Sequence, residues 1–306
     1  MKVLIASSSI LAIPLFKVLS GSREYEIAGL LTNQDKPTGR GQKMESNELA
    51  VWAQSQNYEI YKSSNEEEMI SALSRSSCEI VVTIAFGQLV KEQALKIPKF
   101  GWINIHFSIL PKWRGAAPVQ HAILSGEKST GISIFKLDQG MDTGPVYLSK
   151  EFSMRDDETT TDVLNRLSID GSEMTLDVLN MIKGFRQPQD QLNVAVSFAP
   201  KFQKKDGEIN WRKSSQSIYN LYRALGSNPG IWTELNGNRI KIDSLKRSEI
   251  HLDLNPGEIK IDSEKMYAGT LDGIIEILQL TPAGRNSMTS AEFVRGLNSK
   301  LGLHFG

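Results

Sequence analysis

Apolar and polar positions change period several times along the chain. Residues 2–6 form a short apolar run, and residues 10–19 carry apolar side chains at helical spacing. Residues 25–31 read as a strand, 48–56 as a helix, and 66–73 as a helix with an acidic first turn, where the macrodipole favours negative charge. Residues 79–85 (EIVVTIA) are rich in β-branched, apolar side chains, as a strand covered on both faces should be. Residues 102–106 read as another strand ending at a polar residue, 116–124 as a helix and 131–137 as a strand. Residues 160–183 read as a long helix closed by Gly184. This alternation predicts an α/β domain: a doubly wound, mostly parallel sheet of Rossmann-like build, with helices on its faces.

Such sheets bind ligands beyond the carboxyl ends of their strands. Here that rule selects the loops after Ala85, after Asn104 and after Leu137. The pattern shifts after a polar, proline-containing stretch at 184–190 (GFRQPQD). A helix over 214–225 precedes short β-like runs at 230–235, 239–244, 257–261 and 274–280, punctuated by Gly237, Gly257 and Gly273. Regularly spaced short strands predict a small OB-like β-barrel. The expected division is 1–184 for the first domain, 185–205 for a linker and 206–306 for the barrel.

Lysine plus arginine and aspartate plus glutamate both number 35, so the formal net charge is zero. That argues against a protein holding nucleic acid by bulk charge. Local bias remains. Residues 36–44 (KPTGRGQKM) contain three cations and no acid, and residues 201–213 contain five cations against two acids. No apolar run approaches the roughly 20 residues of a membrane span. The N-terminal residues lack the pattern of a secretory signal. The single cysteine, Cys78, has no partner for an internal disulfide. A cytoplasmic, monomeric protein with Cys78 in its core is expected, with no membrane contact.

Glycine-rich dinucleotide fingerprints, phosphate-binding lysine loops, H-E-x-x-H and C-x-x-C are all absent from the sequence, and no metal is expected. Two stretches carry candidate chemistry. In NIHFSILPKWRGAAP (104–118), Asn104 and His106 stand one residue apart at the end of a strand, so their side chains share a side. In DQGMDTG (138–144), two carboxylates and two glycines follow the next strand. Each stretch also has a plain reading: a hydrogen-bonding histidine at a strand end, and a turn with solvated acids. Asp142 beside His106 would orient the ring and favour its charged form.

Taken together, the two stretches resemble the 10-formyltetrahydrofolate-dependent formyltransferases, whose pattern is Asn-x-His, then Ser-Leu-Leu-Pro, then D-x-G-x-D-T-G. PTGRGQK, AFGQLV, FQKKDGEINW and GTLDGIIEILQLTPAGRNSMTSAEFVRG extend the resemblance over about residues 1–299. They narrow it to the branch that acts on initiator methionyl-tRNA in translation initiation. The resemblance implies transfer of a formyl group from 10-formyltetrahydrofolate, as co-substrate, to the amino group of the methionyl moiety. It implies Asn104, His106 and Asp142 as catalytic residues. It implies a folate pocket of Ser108, Ile109, Leu110, Pro111, Phe86, Gly87, Gln88, Leu89 and Asp138. Arg40, Lys43 and Arg114 are expected to meet tRNA, with Trp113 exposed for stacking, and the C-terminal barrel is expected to bind tRNA as well. The cationic stretch 36–43 is expected to be mobile until tRNA orders it. Four departures stand out: Ser7–Ser9 replace a Gly-Thr-Pro turn, Ile109 replaces leucine, Phe86 stands where tyrosine is common, and Asn228–Pro229–Gly230 replace a longer tryptophan-containing turn. The alternative is a folate-dependent N-formyltransferase for a small amine such as an amino-sugar nucleotide, which can carry a similar second domain.

Overall fold

The structure, a computed structural model, describes residues 1–38, 42–192, 194–297, 299 and 301–306. The chain divides into two compact units. One comprises residues 1–118, 129–153 and 164–200; the other comprises 119–128, 154–163 and 201–306.

Strands of the first unit are β1 (Lys2–Ala6), β2 (Glu26–Asn33), β3 (Lys36–Thr38), β4 (Lys43–Glu45), β5 (Ile60–Ser63), β6 (Ile80–Thr83), β7 (Trp102–His106), β8 (Ser129–Lys136) and β9 (Val146–Ser153). The helices up to residue 183 are α1 (Ile13–Ser20), α2 (Glu48–Ser55), α3 (Glu66–Ser76), α4 (Glu92–Lys96), α5 (Pro118–Leu124) and α6 (Thr160–Lys183). Local chemistry sets several boundaries. The Asn47 side chain accepts the Ala50 N–H at the start of α2, and Asn65 accepts the Glu68 N–H at the start of α3. Glu66, Glu67 and Glu68 fill the first turn of α3, as its acidic sequence suggested.

Seven strands form one sheet in the order β5-β2-β1-β6-β7-β8-β9. Pairing is parallel from β5 through β7 and antiparallel at β7–β8 and β8–β9. The strand order reverses between β1 and β6, which opens a crevice at their carboxyl ends. Parallel register sets Thr83 beside Asn104. Under the sheet, Leu4, Val81, Phe86 and Trp102 pack with Met69 and Leu73 of α3, and Cys78 is buried in the same cluster.

The sequence pattern missed β5, β9 and α4, which are short or lack a clean apolar period. β9 leaves much of its length partly or fully exposed, so no apolar alternation marks it. The stretch 36–43, expected to be mobile until tRNA orders it, is described only at its flanks, because residues 39–41 lie outside the described residues. Its flanks pair as an antiparallel hairpin, with Lys36 opposite Glu45, Pro37 opposite Met44 and Thr38 opposite Lys43. Arg40 lies outside the described residues. Residues 185–192 and 194–200, expected within the linker, are held to the first unit. Gln189 exchanges backbone hydrogen bonds with Val146, Ser197 accepts the Arg114 N–H, and Ala199 accepts the Ala117 N–H.

The second unit carries α7 (Ser215–Leu225), then β10 (Ile231–Leu235), β11 (Asn238–Ser248), β12 (Ile259–Asp262), β13 (Lys265–Gly269), β14 (Ile274–Pro282), β15 (Met288–Thr289) and α8 (Ser290–Arg295). The sheet is antiparallel, in the order β10-β11-β14-β13-β12, with β15 paired to β14. Residues 303–306 bond near both of its edge strands. Ile259 N–H donates to Leu303, Phe305 N–H to Gly257 and Gly306 N–H to Glu234. The Trp211 and Phe305 rings stack at 5.1 Å in the interior. Among the described residues, no helix is long and apolar enough to cross a membrane.

Candidate active site

The site grows from the ends of β6, β7 and β8 in the first unit. β7 delivers Asn104 and His106 to one side, as a strand period of two requires. Phe135 of β8 meets the His106 ring edge-on at 6.3 Å. His106 is 4% exposed. Its Nε2 lies 2.9 Å from the Trp113 carbonyl. A carbonyl only accepts, so Nε2 carries the hydrogen and Nδ1 is left to face the site.

Asp142 brings its Oδ2 to 3.7 Å from His106 Nδ1, too far for a direct hydrogen bond but close enough for strong electrostatic influence. The same Oδ2 accepts the Gly115 N–H at 2.7 Å. The trio named from sequence is thus brought together. One detail differs from expectation. Burial pushes the His106 imidazole below its ordinary value, outweighing the opposing pull of Asp142 and of the Trp113 carbonyl. Burial thus favours the neutral ring, and the Trp113 carbonyl rather than the carboxylate fixes its orientation.

Loop 138–144 is folded by its own residues. Asp138 accepts the Gly140 N–H at 3.0 Å and the Thr143 hydroxyl at 2.7 Å. Gly144 is required: a Cβ there would lie 1.8 Å from the Lys136 carbonyl oxygen. Asp138 is therefore an exposed organiser of the loop.

The Ser108–Pro111 turn lies beside the trio, but its hydroxyl is committed. Ser108 Oγ donates to the Lys112 carbonyl. Beneath the turn, Ser133 donates to the Ser108 carbonyl at 2.8 Å and accepts the Leu110 N–H at 3.0 Å. Ile109 is partly exposed, Leu110 is buried and Pro111 is half-buried. After β6, Phe86 is a core residue against Trp102, with ring centroids 6.4 Å apart, whereas Leu89 is 73% exposed. Gly87 has a φ of +74° and open space where a Cβ would stand. The Gln88 amide donates to Asn33 at 2.6 Å and to the Ser63 carbonyl at 2.8 Å, bracing the ends of β2 and β5. Lys43 is exposed on β4. Arg114 and Trp113 depart from expectation: Arg114 is 8% exposed with its guanidinium on Gln191, and Trp113 is half-buried.

Sequence reasoning missed Thr83. It is 3% exposed and its hydroxyl donates to Asn104 Oδ1 at 2.6 Å, a spacing typical of O–H···O bonds. In this arrangement the Asn104 N–H groups form the amide's outward face. The signal was a lone hydroxyl inside the apolar run EIVVTIA. An amide donor, a neutral imidazole and a carboxylate converging at strand ends can stabilise a developing oxyanion and receive a proton.

The formyl transferase family model matches residues 1–179, and the model of its C-terminal domain matches residues 201–298. The chain belongs to the formyl transferase family. Its relatives among the formyl transferases include the methionyl-tRNA formyltransferase of Acidothermus cellulolyticus, 36% identical over all of both chains. The methionyl-tRNA formyltransferase of Salinispora tropica is 34% identical over 99% of both chains. Among solved structures, HypX from Aquifex aeolicus in complex with tetrahydrofolic acid superposes with a TM-score of 0.71 at 17% identity. That match covers 97% of this chain and 48% of HypX, and it speaks for the shared fold. The mostly parallel sheet and the antiparallel C-terminal sheet are thus the formyl transferase architecture.

Proposed function

We propose that this formyl transferase moves the formyl group of 10-formyltetrahydrofolate to the amino group of methionyl-tRNA in the cytoplasm, preparing initiator tRNA. The reading is carried by the convergence of Asn104, His106 and Asp142 at the ends of neighbouring strands, and supported by full-length relatives that bear the methionyl-tRNA formyltransferase name.

Acyl transfer to an amine builds negative charge on the formyl oxygen and positive charge on the attacking nitrogen. Asn104, with its oxygen held by Thr83, presents N–H groups to that oxygen without any change of protonation. Losing one such donor costs about 10²–10³ in rate. The proton leaving the amine has two facing acceptors, His106 Nδ1 and Asp142 Oδ2. A neutral His106 can take it, the carboxylate 3.7 Å away stabilises the imidazolium formed, and the proton passes to the folate nitrogen as its bond to the formyl carbon breaks. The turn Ser108–Pro111, the backbone of Phe86–Leu89 and loop 138–144 would hold the folate, through apolar walls and main-chain groups rather than through the Ser108 or Gln88 side chains. Lys43 and Arg40 would meet tRNA phosphates, as would the cations of the C-terminal domain.

The deciding experiment incubates the protein with 10-formyltetrahydrofolate and methionyl-tRNA, an amino-sugar nucleotide, or no acceptor. Formylmethionyl-tRNA is the expected product. Formyl transfer to the sugar alone, or formate release alone, would refute this reading.

A further inference from the structure

The side-chain amide of Gln191 is engaged at all four of its hydrogen-bonding positions. Its Oε1 accepts from Arg114 Nε at 3.2 Å and from Arg114 Nη2 at 2.7 Å. Its Nε2 donates to the Asp142 carbonyl at 2.8 Å and to the Gly144 carbonyl at 2.8 Å. Arg114 is itself fixed. Its backbone N–H donates to the Ser197 carbonyl at 2.9 Å, and its carbonyl accepts the Ala199 N–H at 2.7 Å. The next residue, Gly115, holds the Asp142 carboxylate.

Asp142 is therefore gripped at both ends, at its carboxylate by Gly115 and at its carbonyl by Gln191. It has a φ of +53°, a left-handed conformation that a non-glycine residue keeps when its surroundings impose it. The Asp138 bonds shape loop 138–144 from within, but they do not attach it to the strand ends that carry Asn104 and His106. Gln191, together with the Gly115 N–H, ties it to the segment that follows β7. Arg114 decides which way round the amide sits, because a guanidinium only donates and so claims the amide oxygen.

We propose that Gln191 is a positioning residue for formyl transfer, holding Asp142 against His106 from a stretch whose sequence reads as a linker. This rests on the catalytic reading of Asn104, His106 and Asp142. A displacement of about 1 Å at a reacting group can cost about 10² in rate, so a tether to the Asp142 backbone acts on turnover rather than on substrate binding. Arg114 belongs to this device and not to a phosphate contact.

The test measures formyl transfer to methionyl-tRNA by Gln191→Leu, Gln191→Glu, Asp142→Asn and the double variant Gln191→Leu/Asp142→Asn, with melting temperatures alongside. Gln191→Leu should lower kcat by about 10–100-fold with KM values changed less than about threefold. Gln191→Glu should lose as much, because it keeps the acceptor for Arg114 and gives up both donors to the loop. In the Asp142→Asn background, Gln191→Leu should add less than about a twofold loss, the non-additivity expected when one residue acts through another. Wild-type kcat in both Gln191 variants overturns the proposal. So does an equal loss in both backgrounds, which is what a merely structural role would give. Asp142→Asn turning over at the wild-type rate would instead refute the catalytic trio, and this proposal with it.

Discussion

The Thr83 hydroxyl lies 2.6 Å from the Asn104 side-chain oxygen, across neighbouring strands at one register position. The same hydroxyl is 3.3 Å from the Ile103 carbonyl, and with its hydrogen on Asn104 the amide presents its N–H groups outward. Thr83→Val keeps the shape and removes the hydroxyl, freeing the amide to turn. It should lower kcat by about tenfold, while Thr83→Ser stays within about threefold of wild type. Steady-state kinetics check this; a valine variant at full rate would mean the amide is oriented by something else.

Asn104→Ala and His106→Ala should each lower kcat by about 10²–10³. Asn104 is half-buried, so its variant should melt near the wild-type temperature. Circular dichroism melts read beside the rates separate lost chemistry from lost folding. A near-normal rate in either variant removes that residue from the site.

Burial holds His106 below its ordinary value of 6.5. On unfolding the ring returns to that value, so below about pH 6.5 the unfolded chain binds a proton that the folded chain does not. This contribution to stability is complete above that pH and declines as the pH falls. Between about pH 7.5 and about pH 5.5, urea unfolding should show a larger stability loss for wild type than for His106→Gln. Equal losses would place the folded imidazole at its ordinary value.

A non-transferable 10-formyltetrahydrofolate analogue should raise the melting temperature without added metal or nucleotide. Binding to the folded state alone stabilises by about 2.7 kcal/mol at a hundredfold excess over Kd. Differential scanning fluorimetry reads the shift, and no shift at saturation would remove folate as the formyl donor.

The hairpin cations Lys36 and Lys43 are exposed. Lys36→Ala/Lys43→Ala should weaken methionyl-tRNA use and flatten its salt dependence by about 0.7 log units per log unit of salt for each lost single-strand contact. The folate KM should be unchanged. Kinetics across a salt series decide it, and an unchanged slope would leave the hairpin without a part in recognition.

What could be read from the sequence was what local pattern encodes. The strand ending at His106 set Asn104 and His106 on one side, because strand geometry repeats every two residues. The buried run before Ala85, the long helix 160–183 and the short strands after residue 230 all carry strong periodicity or turn residues, and each formed. The motifs DQGMDTG and NIHFSILPKWRGAAP were legible as site material for the same reason: their residues are contiguous.

What only the tertiary structure decided depends on surroundings that no local pattern records. The downward pull on the His106 imidazole follows from burial, and burial comes from packing of distant segments. Arg114 reads as a surface cation in sequence. It is buried because Gln191, 77 residues away, supplies its acceptor. The Thr83–Asn104 bond exists because parallel pairing sets β6 against β7 in one register. Hydrogen-bond partners separated by long stretches of chain are set by how strands and loops are brought together, and that is a property of the fold.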